Sequence, residues 1–414
     1  MLTTLLLALA PAQEPAWARP PLEYGTRPAT DRVARLDADL ASGARRLGAD
    51  GERPTLLDVL AALEVPASSQ LAVFTRSSFQ AKRISPRRPR AIYFSDDVYV
   101  GFVPGGDVLE LTAVDPAEGL VFYTLDRTAD APRFKRETHR CLQCHAPSRQ
   151  SGLPSHLVRS LHPERSGQPR LRAGSTHVDH ATPIAERWGG WYVTGDAGEM
   201  EHLGNQMLEA DQERLVAATG AHADLAEVCD SASYAATTSD VVALMVMEHQ
   251  THAQNAIVLA GYEARVALDY QRALNEALGD PPGTPVASTG TRLDGAARDV
   301  VDALLFTDEP ALPGPIGAGS PFTAEFEARG VRDERGRSLR DLDLRTRLFR
   351  YPVSYTIDSP AFAGLPAPLR ERIWQRLDEV LDEEAPDGPA LDPVRRGAAR
   401  EILRATCSSV PAGW

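Results

Sequence analysis

Short runs of β-branched and aromatic residues occur between residues 71 and 126, and such runs predict β-strands. The runs cover 71–74, 91–94, 98–103, 108–114 and 120–124. Pro104-Gly-Gly-Asp107 joins two of them with the residues of a hairpin turn. Because the other connections are also short, an antiparallel meander is favoured over parallel crossovers. We therefore expect a small antiparallel sheet over 71–126.

Apolar positions with helical spacing lie on both sides of this sheet. Leucines among Arg, Asp and Ala predict helix within 19–65. Thr238-Ser239-Asp240 offers an N-cap, and a helical pattern follows from Val241 to Leu278, as one helix or as two with a break near Gly261. The remaining predictions are a Pro/Gly-rich loop at 309–321, a strand or extended stretch at 348–357, and helices at 366–383 and 393–405.

The sequence Cys141-Leu-Gln-Cys144-His145 carries the most specific chemistry in the chain. In this spacing the two thiols add across the vinyl groups of a haem, and the imidazole of the next residue becomes the proximal iron ligand. A thioredoxin-like dithiol would need a βαβ context and a helix that begins at the first Cys, and the pattern around the motif indicates neither. A zinc site would need a second close pair of Cys or His. The motif therefore predicts one covalent haem c.

The sixth iron ligand is left open by the sequence, and His249 is its first candidate. Met245, His249, His252 and Ala256 share one face of the predicted long helix and could line a pocket. A histidine on a helix is more often a surface residue or a hydrogen-bonded core residue. A strong sixth ligand would favour electron transfer, whereas an open position would permit chemistry on small molecules.

Two loops offer weaker candidates for the same position. Met200 and His202 lie in a Gly-bounded loop, and Asp179 stands beside His180, although solvated loop residues are the alternative in both cases. The tract 187–192, Arg-Trp-Gly-Gly-Trp-Tyr, could form a porphyrin wall or a structural turn.

Cations cluster in the sequence around the Cys pair. The chain holds Lys only at Lys82 and Lys135, and the cluster comprises Arg133, Lys135, Arg136, Arg140, Arg149, Arg159 and Arg165. These side chains could form a solvated face, balance haem propionates or receive an acidic redox partner. The formal net charge of −13 argues against nucleic-acid binding.

The N-terminus predicts export from the cytoplasm. An apolar run from Leu2 to Ala10 is followed by small residues that allow cleavage after Ala12 or Ala18, although no basic residue precedes the run. We expect a periplasmic or otherwise extracytoplasmic protein. No later stretch is apolar for about 18 residues, so a membrane-spanning helix is not expected in the mature chain. Cys229 and Cys407 could then form a disulfide or remain buried thiols.

These features predict an α+β protein of four regions. Residues 1–18 would be a signal peptide, and 19–130 an α+β domain that contains the sheet. Residues 131–284 would be a loop-rich haem c region with the long helix, organised around the cofactor, and 285–414 a mainly helical region. At 43% apolar and 24% charged residues, the composition is that of a folded protein.

Several tracts together resemble a family of exported bacterial single-haem proteins described as cytochrome c domain-containing. The tracts are 89–101, 105–110, 140–145, 156–160, 186–195, 248–250 and 348–352, which include Arg-Trp-Gly-Gly-Trp-Tyr-Val-Thr-Gly and Glu-His-Gln. The resemblance implies haem c, an extracytoplasmic location, and a match of His180, His202 and His249 to His-bearing motifs. It implies no substrate.

The chain departs from that family at two places. Residues 194–198 lack a His that relatives often carry, and 351–354 lack a common Cys, which leaves Cys407 without a partner there. Small cytochromes c place a Met ligand before Pro, a pattern that is missing here, so a His ligand or none is favoured.

Three functions remain open at this point. The first is electron transfer with a redox partner protein. The second is a haem enzyme of peroxidase-like type, in which His249 or His180 handles protons. The third is a haem-based sensor with an open sixth position.

Overall fold

The computed structural model describes residues 15–48, 55–382 and 392–414 and shows an α+β fold. Its largest sheet has seven strands in the order β6-β5-β4-β3-β2-β1-β9, and every neighbouring pair is antiparallel. The strands are β1 (Leu71–Val73), β2 (Arg90–Phe94), β3 (Val98–Phe102), β4 (Val108–Asp115), β5 (Gly119–Asp126), β6 (Phe134–Arg136) and, at the far edge, β9 (Trp191–Tyr192). Two further strands, β7 (Arg159–Ser160) and β8 (Thr176–His177), form a separate pair.

The five strands predicted over 71–126 are confirmed, including the hairpin between β3 and β4. Two edge strands were not predicted, because β6 and β9 are only three and two residues long and carry too little periodicity to be recognised. Strand β9 comes from the loop-rich segment and pairs with β1. This pairing fixes the tract 187–192 at one edge of the sheet.

Both faces of the sheet are covered, which explains why β3 is buried along its whole length. Leu120 and Phe122 of β5 belong to the main apolar core, whereas Val121, Tyr123 and Leu125 belong to a second core. The second core is completed by α1 (Arg32–Ser42) and α2 (Leu56–Ala62). The main core contains buried residues from three of the four predicted regions, 19–130, 131–284 and 285–414, from Leu22 to Leu403.

The main core is built on a single unbroken helix, α4 (Val241–Leu278). Asp240 caps its first turn by accepting hydrogen bonds from the N–H groups of Val242 and Ala243, as the N-cap sequence predicts. Gly261 does not interrupt the helix; a Cβ there would lie 3.1 Å from Leu365 Cδ2, so the glycine permits close packing. Gly279 ends the helix with φ 77°.

The other helices of the described residues are mostly short. They are α3 (Leu142–His145), α5 (Ala287–Leu304), α6 (Pro321–Ala328), α7 (Pro360–Ala363), α8 (Ala367–Val380) and α9 (Pro393–Thr406). The predicted helices at 366–383 and 393–405 correspond to α8 and α9, and the predicted loop before α6 is confirmed. Helix α5 was missed. None of the described helices combines the length and the apolar character needed to cross a membrane.

Of the strand or extended stretch predicted at 348–357, the strand is wrong. This segment is irregular and ends in a 3₁₀ helix, Tyr355–Asp358. Phe349 and Tyr355 both turn inwards, and their rings pack against each other at a centroid distance of 5.9 Å. Both side chains are thus buried without the alternation of a β-strand. The apolar run therefore reflects burial in the core rather than pairing in a sheet.

Most of the predicted signal peptide lies outside the described residues, and so does the cleavage position after Ala12. Residues 16–18 form a 3₁₀ turn, and the ring of Trp17 meets Tyr24 edge-on at 5.8 Å.

Gly119 provides a test of how closely β5 approaches α4. A Cβ at Gly119 would lie 2.5 Å from Val258 Cγ1 and 2.7 Å from the Tyr262 hydroxyl, and φ is 76°. We expect Gly119→Ala to lower the free energy of unfolding by more than about 2 kcal/mol, because left-handed strain and overpacking add. Gly43→Ala is the control, since φ is 75° with no atom within 4 Å, and it should cost about 1 kcal/mol in denaturant titrations. Equal losses would contradict the close approach.

Candidate haem-attachment site

Cys141 is the N-cap residue of the one-turn helix α3, which contains Cys144 and His145. The expectation that no helix begins at the first Cys was therefore wrong, because a single turn is too short to show helical periodicity. Cys141, Cys144 and His145 stand at i, i+3 and i+4, so they share one side of the helix. Leu142 points into the main core and is 5% exposed, which holds the turn against the body of the protein. Cys144 is exposed, and Cys141 and His145 are half-buried. The three reactive side chains are therefore accessible on a fixed support.

A backbone carbonyl fixes the orientation of the His145 ring. His145 Nδ1 lies 3.1 Å from the carbonyl oxygen of Ser155. Since a carbonyl only accepts, Nδ1 carries the proton and Nε2 keeps a free lone pair. Burial lowers the pKa of His145, opposed by the Ser155 hydrogen bond, so the ring is neutral at pH 7. A neutral imidazole held through Nδ1 is the form that ligates a metal through Nε2.

All four cysteines are free thiols. Burial raises the pKa of Cys141 to about 11, and nearby Glu137 adds to the rise. Cys229 packs in a small apolar cluster with Phe74 and Tyr192, whereas Cys407 lies 3.6 Å from Asp358 Oδ1. Of the two alternatives for Cys229 and Cys407, the structure therefore shows unpaired thiols.

His156 is a buried neighbour of His145 that the sequence reasoning did not single out. Its Nε2 lies 2.9 Å from Gln254 Oε1, and its ring stands 4.5 Å from that of Tyr99. Burial lowers the pKa of His156 to about 3, with a further contribution from His145. The residue belongs to the tract at 156–160, but no spacing rule connects it to the motif.

A chain of buried hydrogen bonds leads from His156 across the core. Tyr99 donates to Gln254 Oε1 at 2.7 Å, Gln250 Nε2 donates to the Tyr99 hydroxyl at 2.6 Å, and Tyr355 donates to Gln250 Oε1 at 2.6 Å. Tyr355 also lines a surface cavity of about 250 Å³. Other lining residues are Arg32, Asp96, Asp97, Arg329, Arg340 and Cys407.

His249 and His180 form a pair rather than presenting free nitrogens. Their Nδ1 atoms lie 3.2 Å apart. His180 Nε2 donates to the Thr307 carbonyl at 3.1 Å, so His180 Nδ1 accepts from His249, and His249 Nε2 in turn accepts from Ser354 Oγ at 2.6 Å. Burial lowers the pKa of both rings, that of His180 to about 3. Ligation by either ring would require one of these hydrogen bonds to break.

His252 extends this pair towards the surface. Its ring meets His180 edge-on at a centroid distance of 4.5 Å, and its Nδ1 lies 4.0 Å from a carboxylate oxygen of Asp179. The structure therefore brings His180, His249 and His252 together.

His202 lies in a different environment. Its Nδ1 accepts a hydrogen bond from the N–H of Gly204 at 3.0 Å, its ring packs on Trp188 at 4.9 Å, and the side chain is fully buried. Burial lowers its pKa to about 4. The neighbouring Met200 is also fully buried in the main core. These contacts hold the turn at 202–204. Met200 and His202 were expected either as iron ligands or as solvated loop residues, and their burial contradicts the second alternative.

A buried ion pair anchors the tract 187–192 to α4. Arg187 Nη1 lies 3.0 Å from Glu248 Oε2, and Trp188 Nε1 donates to Glu248 Oε1 at 2.7 Å. Arg187 also donates to the carbonyls of Thr182 and His180. The side chains of Arg187 and Glu248 are at most 2% exposed, and these hydrogen bonds supply the partners that the two buried charges need. Of the two uses predicted for the tract, the structure therefore shows the structural turn.

Most cations of the predicted basic cluster are engaged in ion pairs. Arg133 pairs with Asp37, Lys135 with Glu137, Arg136 with Glu118, and Arg165 with Glu209. These pairs neutralise much of the positive charge that the sequence places around the motif.

Comparisons with known protein families, curated proteins and solved structures gave no match. Within the described residues, no three His, Cys, Asp or Glu side chains are arranged to hold a metal ion. A haem would not need such a cluster, because the porphyrin itself supplies four nitrogens to the iron and His145 could supply the protein ligand.

The buried histidines predict a loss of stability in acid. His202 has a folded-state pKa of about 4 against an ordinary value of 6.5, so the unfolded chain takes up a proton first as the pH falls between these values. The stabilisation is present above pH 6.5 and is lost towards pH 4, at about 1.4 kcal/mol per pH unit. His202→Gln should reduce the slope of unfolding free energy against pH by that amount. His139→Gln, at an exposed position, should leave it unchanged, and equal slopes in all three proteins would contradict the assignment.

Proposed function

We propose that this chain is an extracytoplasmic c-type cytochrome that carries one haem and transfers electrons. Cys141 and Cys144 would form the two thioethers, and His145 would be the proximal iron ligand. The observation that carries the proposal is the hydrogen bond from His145 Nδ1 to the Ser155 carbonyl, which leaves Nε2 available beside two free thiols. A bound haem supplies an iron that alternates between the ferric and ferrous states.

The surroundings of the motif favour haem attachment over the two other uses of such cysteines. A reactive dithiol needs a lowered thiol pKa, whereas burial raises the pKa of Cys141 to about 11. A structural zinc site needs four ligands, and none of the described residues adds a second pair to Cys141 and Cys144.

The protein groups around α3 have distinct roles in this proposal. Ser155 orients the proximal ring, and the Phe122 ring packs on it at 4.7 Å, which restricts its rotation. His156 stays neutral because of its burial, so it adds no positive charge next to the iron ligand. His249, His202 and His180 stay predictions for the sixth ligand, and ligation by His249 or His180 would require a hydrogen bond to break.

Covalent attachment can be tested with matched double variants of the full chain, produced in the periplasm of a bacterium that attaches haem c. Cys141→Ala/Cys144→Ala should abolish haem that survives denaturation and acid extraction, because both thioethers are lost. Cys229→Ala/Cys407→Ala removes the same number of thiols and should retain the haem. Retention by the first variant, or loss from the second, would contradict the assignment of the attachment cysteines.

A second candidate function is a haem enzyme, and one observation favours it. A chain of hydrogen bonds connects the surface cavity to His156, the neighbour of the proposed proximal ligand, through Tyr355, Gln250, Tyr99 and Gln254. A simple electron carrier does not need such a path. A haem-based sensor would share the open sixth position. Added cyanide or carbon monoxide should leave a low-spin spectrum unchanged in the electron carrier and change it in either alternative.

A further inference from the structure

An exposed aromatic residue lies next to the attachment motif. Phe79, in the connection between β1 and β2, is 47% exposed. The guanidinium of Arg140 lies 5.4 Å from the centre of its ring, and Arg140 immediately precedes Cys141. Lys82 and Arg83 follow in a 3₁₀ turn, and both are exposed. We call Phe79, Lys82, Arg83 and Arg140 the Phe79 patch.

The Phe79 patch keeps its positive charge. Lys82 and Arg140 form no ion pair with any acidic residue in the described ranges, and Arg83 has only the exposed Asp107 at 3.6 Å. Two further exposed cations without a described ion pair, Arg87 and Arg88, lie on the same connection. In the basic cluster at 133–165, which shares Arg140 with the patch, four of the seven cations are paired. A protein of net charge −13 therefore has a group of unpaired cations on the connection that carries Phe79, and Arg140 links this group to Cys141.

The composition of the patch fits a transient protein interface. Aromatic residues and Arg are enriched at the centre of such interfaces, and unpaired surface charge steers a partner of opposite sign. The overall negative charge disfavours a nucleic acid, whose phosphates the rest of the surface would repel. Cys144 is exposed and follows four residues after Arg140, so a haem attached there would lie close to the surface that carries the patch.

We propose that the Phe79 patch is the docking surface for an acidic electron-transfer protein. This inference rests on the proposed function, because it takes the haem at Cys141 and Cys144 as the electron acceptor. One electron leaves the reduced centre of the partner and converts ferric iron to ferrous iron; no bond forms or breaks, and no proton moves. The cations attract the partner, and Phe79 supplies apolar contact at the centre.

The sign of local charge can be measured with small redox probes on the haem-loaded full chain. The reduced protein is mixed with anionic ferricyanide or with cationic hexaammineruthenium(III) at increasing ionic strength. If the patch governs approach, the ferricyanide rate falls with added salt although the protein carries −13, and the ruthenium rate rises. A ferricyanide rate that rises with salt would overturn the proposal.

Matched charge reversals separate the patch from the overall charge. Lys82→Glu/Arg83→Glu should slow the oxidation of the reduced protein by ferricyanide roughly tenfold at low salt. In this variant the rate should rise with added salt instead of falling. Arg298→Glu/Arg345→Glu changes the total charge by the same amount, at exposed positions without described ion pairs. In this control the ferricyanide rate should still fall with added salt, as in the wild type. Equal effects of the two variants would overturn the proposal.

A binding measurement tests the patch independently of the haem. The wild type and the control variant should bind a cation-exchange resin at pH 7 and low salt, and Lys82→Glu/Arg83→Glu should not. If the protein carries no haem but the wild type still binds the resin more strongly than Lys82→Glu/Arg83→Glu, the proposed function is refuted and the cationic patch is supported. Equal retention would refute the patch itself. Patch-dependent binding to phosphatidylserine vesicles would overturn the assignment to a protein partner in favour of a membrane surface.

Discussion

The need to satisfy polar side chains buried on α4 determines how the rest of this protein is arranged. Glu248, His249, Gln250 and Gln254 are at most 1% exposed. A buried polar group without a hydrogen-bond partner costs about 1–3 kcal/mol, and an unpaired charge costs more. Each of the four consequently has partners from another part of the chain, and these partners hold the irregular segments in place.

Each polar residue of α4 fixes a different segment. Glu248 holds the tract 187–192 through Arg187 and Trp188, and His249 links His180 to the segment at 354. Gln254 reaches His156, which follows directly after the residue that orients His145. The loop-rich region was expected to be organised by a cofactor, and the structure shows that hydrogen bonds to α4 and apolar contacts with the main core hold its segments. Groups of the chain itself therefore hold the proximal side of the proposed haem site in position.

The strands β1 to β5 and the helix α4 could be predicted because their signals are local. The runs of β-branched residues and the cap at Asp240 need no information from distant residues. Strand β6 could not be predicted because three residues carry too little periodicity, and β9 could not because it is short and its partner β1 lies far along the chain. The role of Ser155 depends on a backbone carbonyl, which any residue supplies. The strand predicted at 348–357 was wrong because residues buried in the core gave an apolar run like that of a strand.

The candidate site divides in the same way. Cys141, Cys144 and His145 were recognisable, since the chemistry of attachment dictates their spacing. The surroundings of His249, His180 and His202 were not, because hydrogen bonding to distant groups decides whether a histidine nitrogen is free. Cations near the motif in sequence proved to be mostly paired, while Phe79 and the cations that follow it were not associated with the motif, because only the fold brings Phe79 to Arg140.

The most direct test of the central claim is the intact mass of the exported protein under denaturing conditions. We expect the mass of the chain plus one haem, because two thioether bonds survive unfolding. The mass of the polypeptide alone, from cells that attach haem to a control cytochrome, would contradict it.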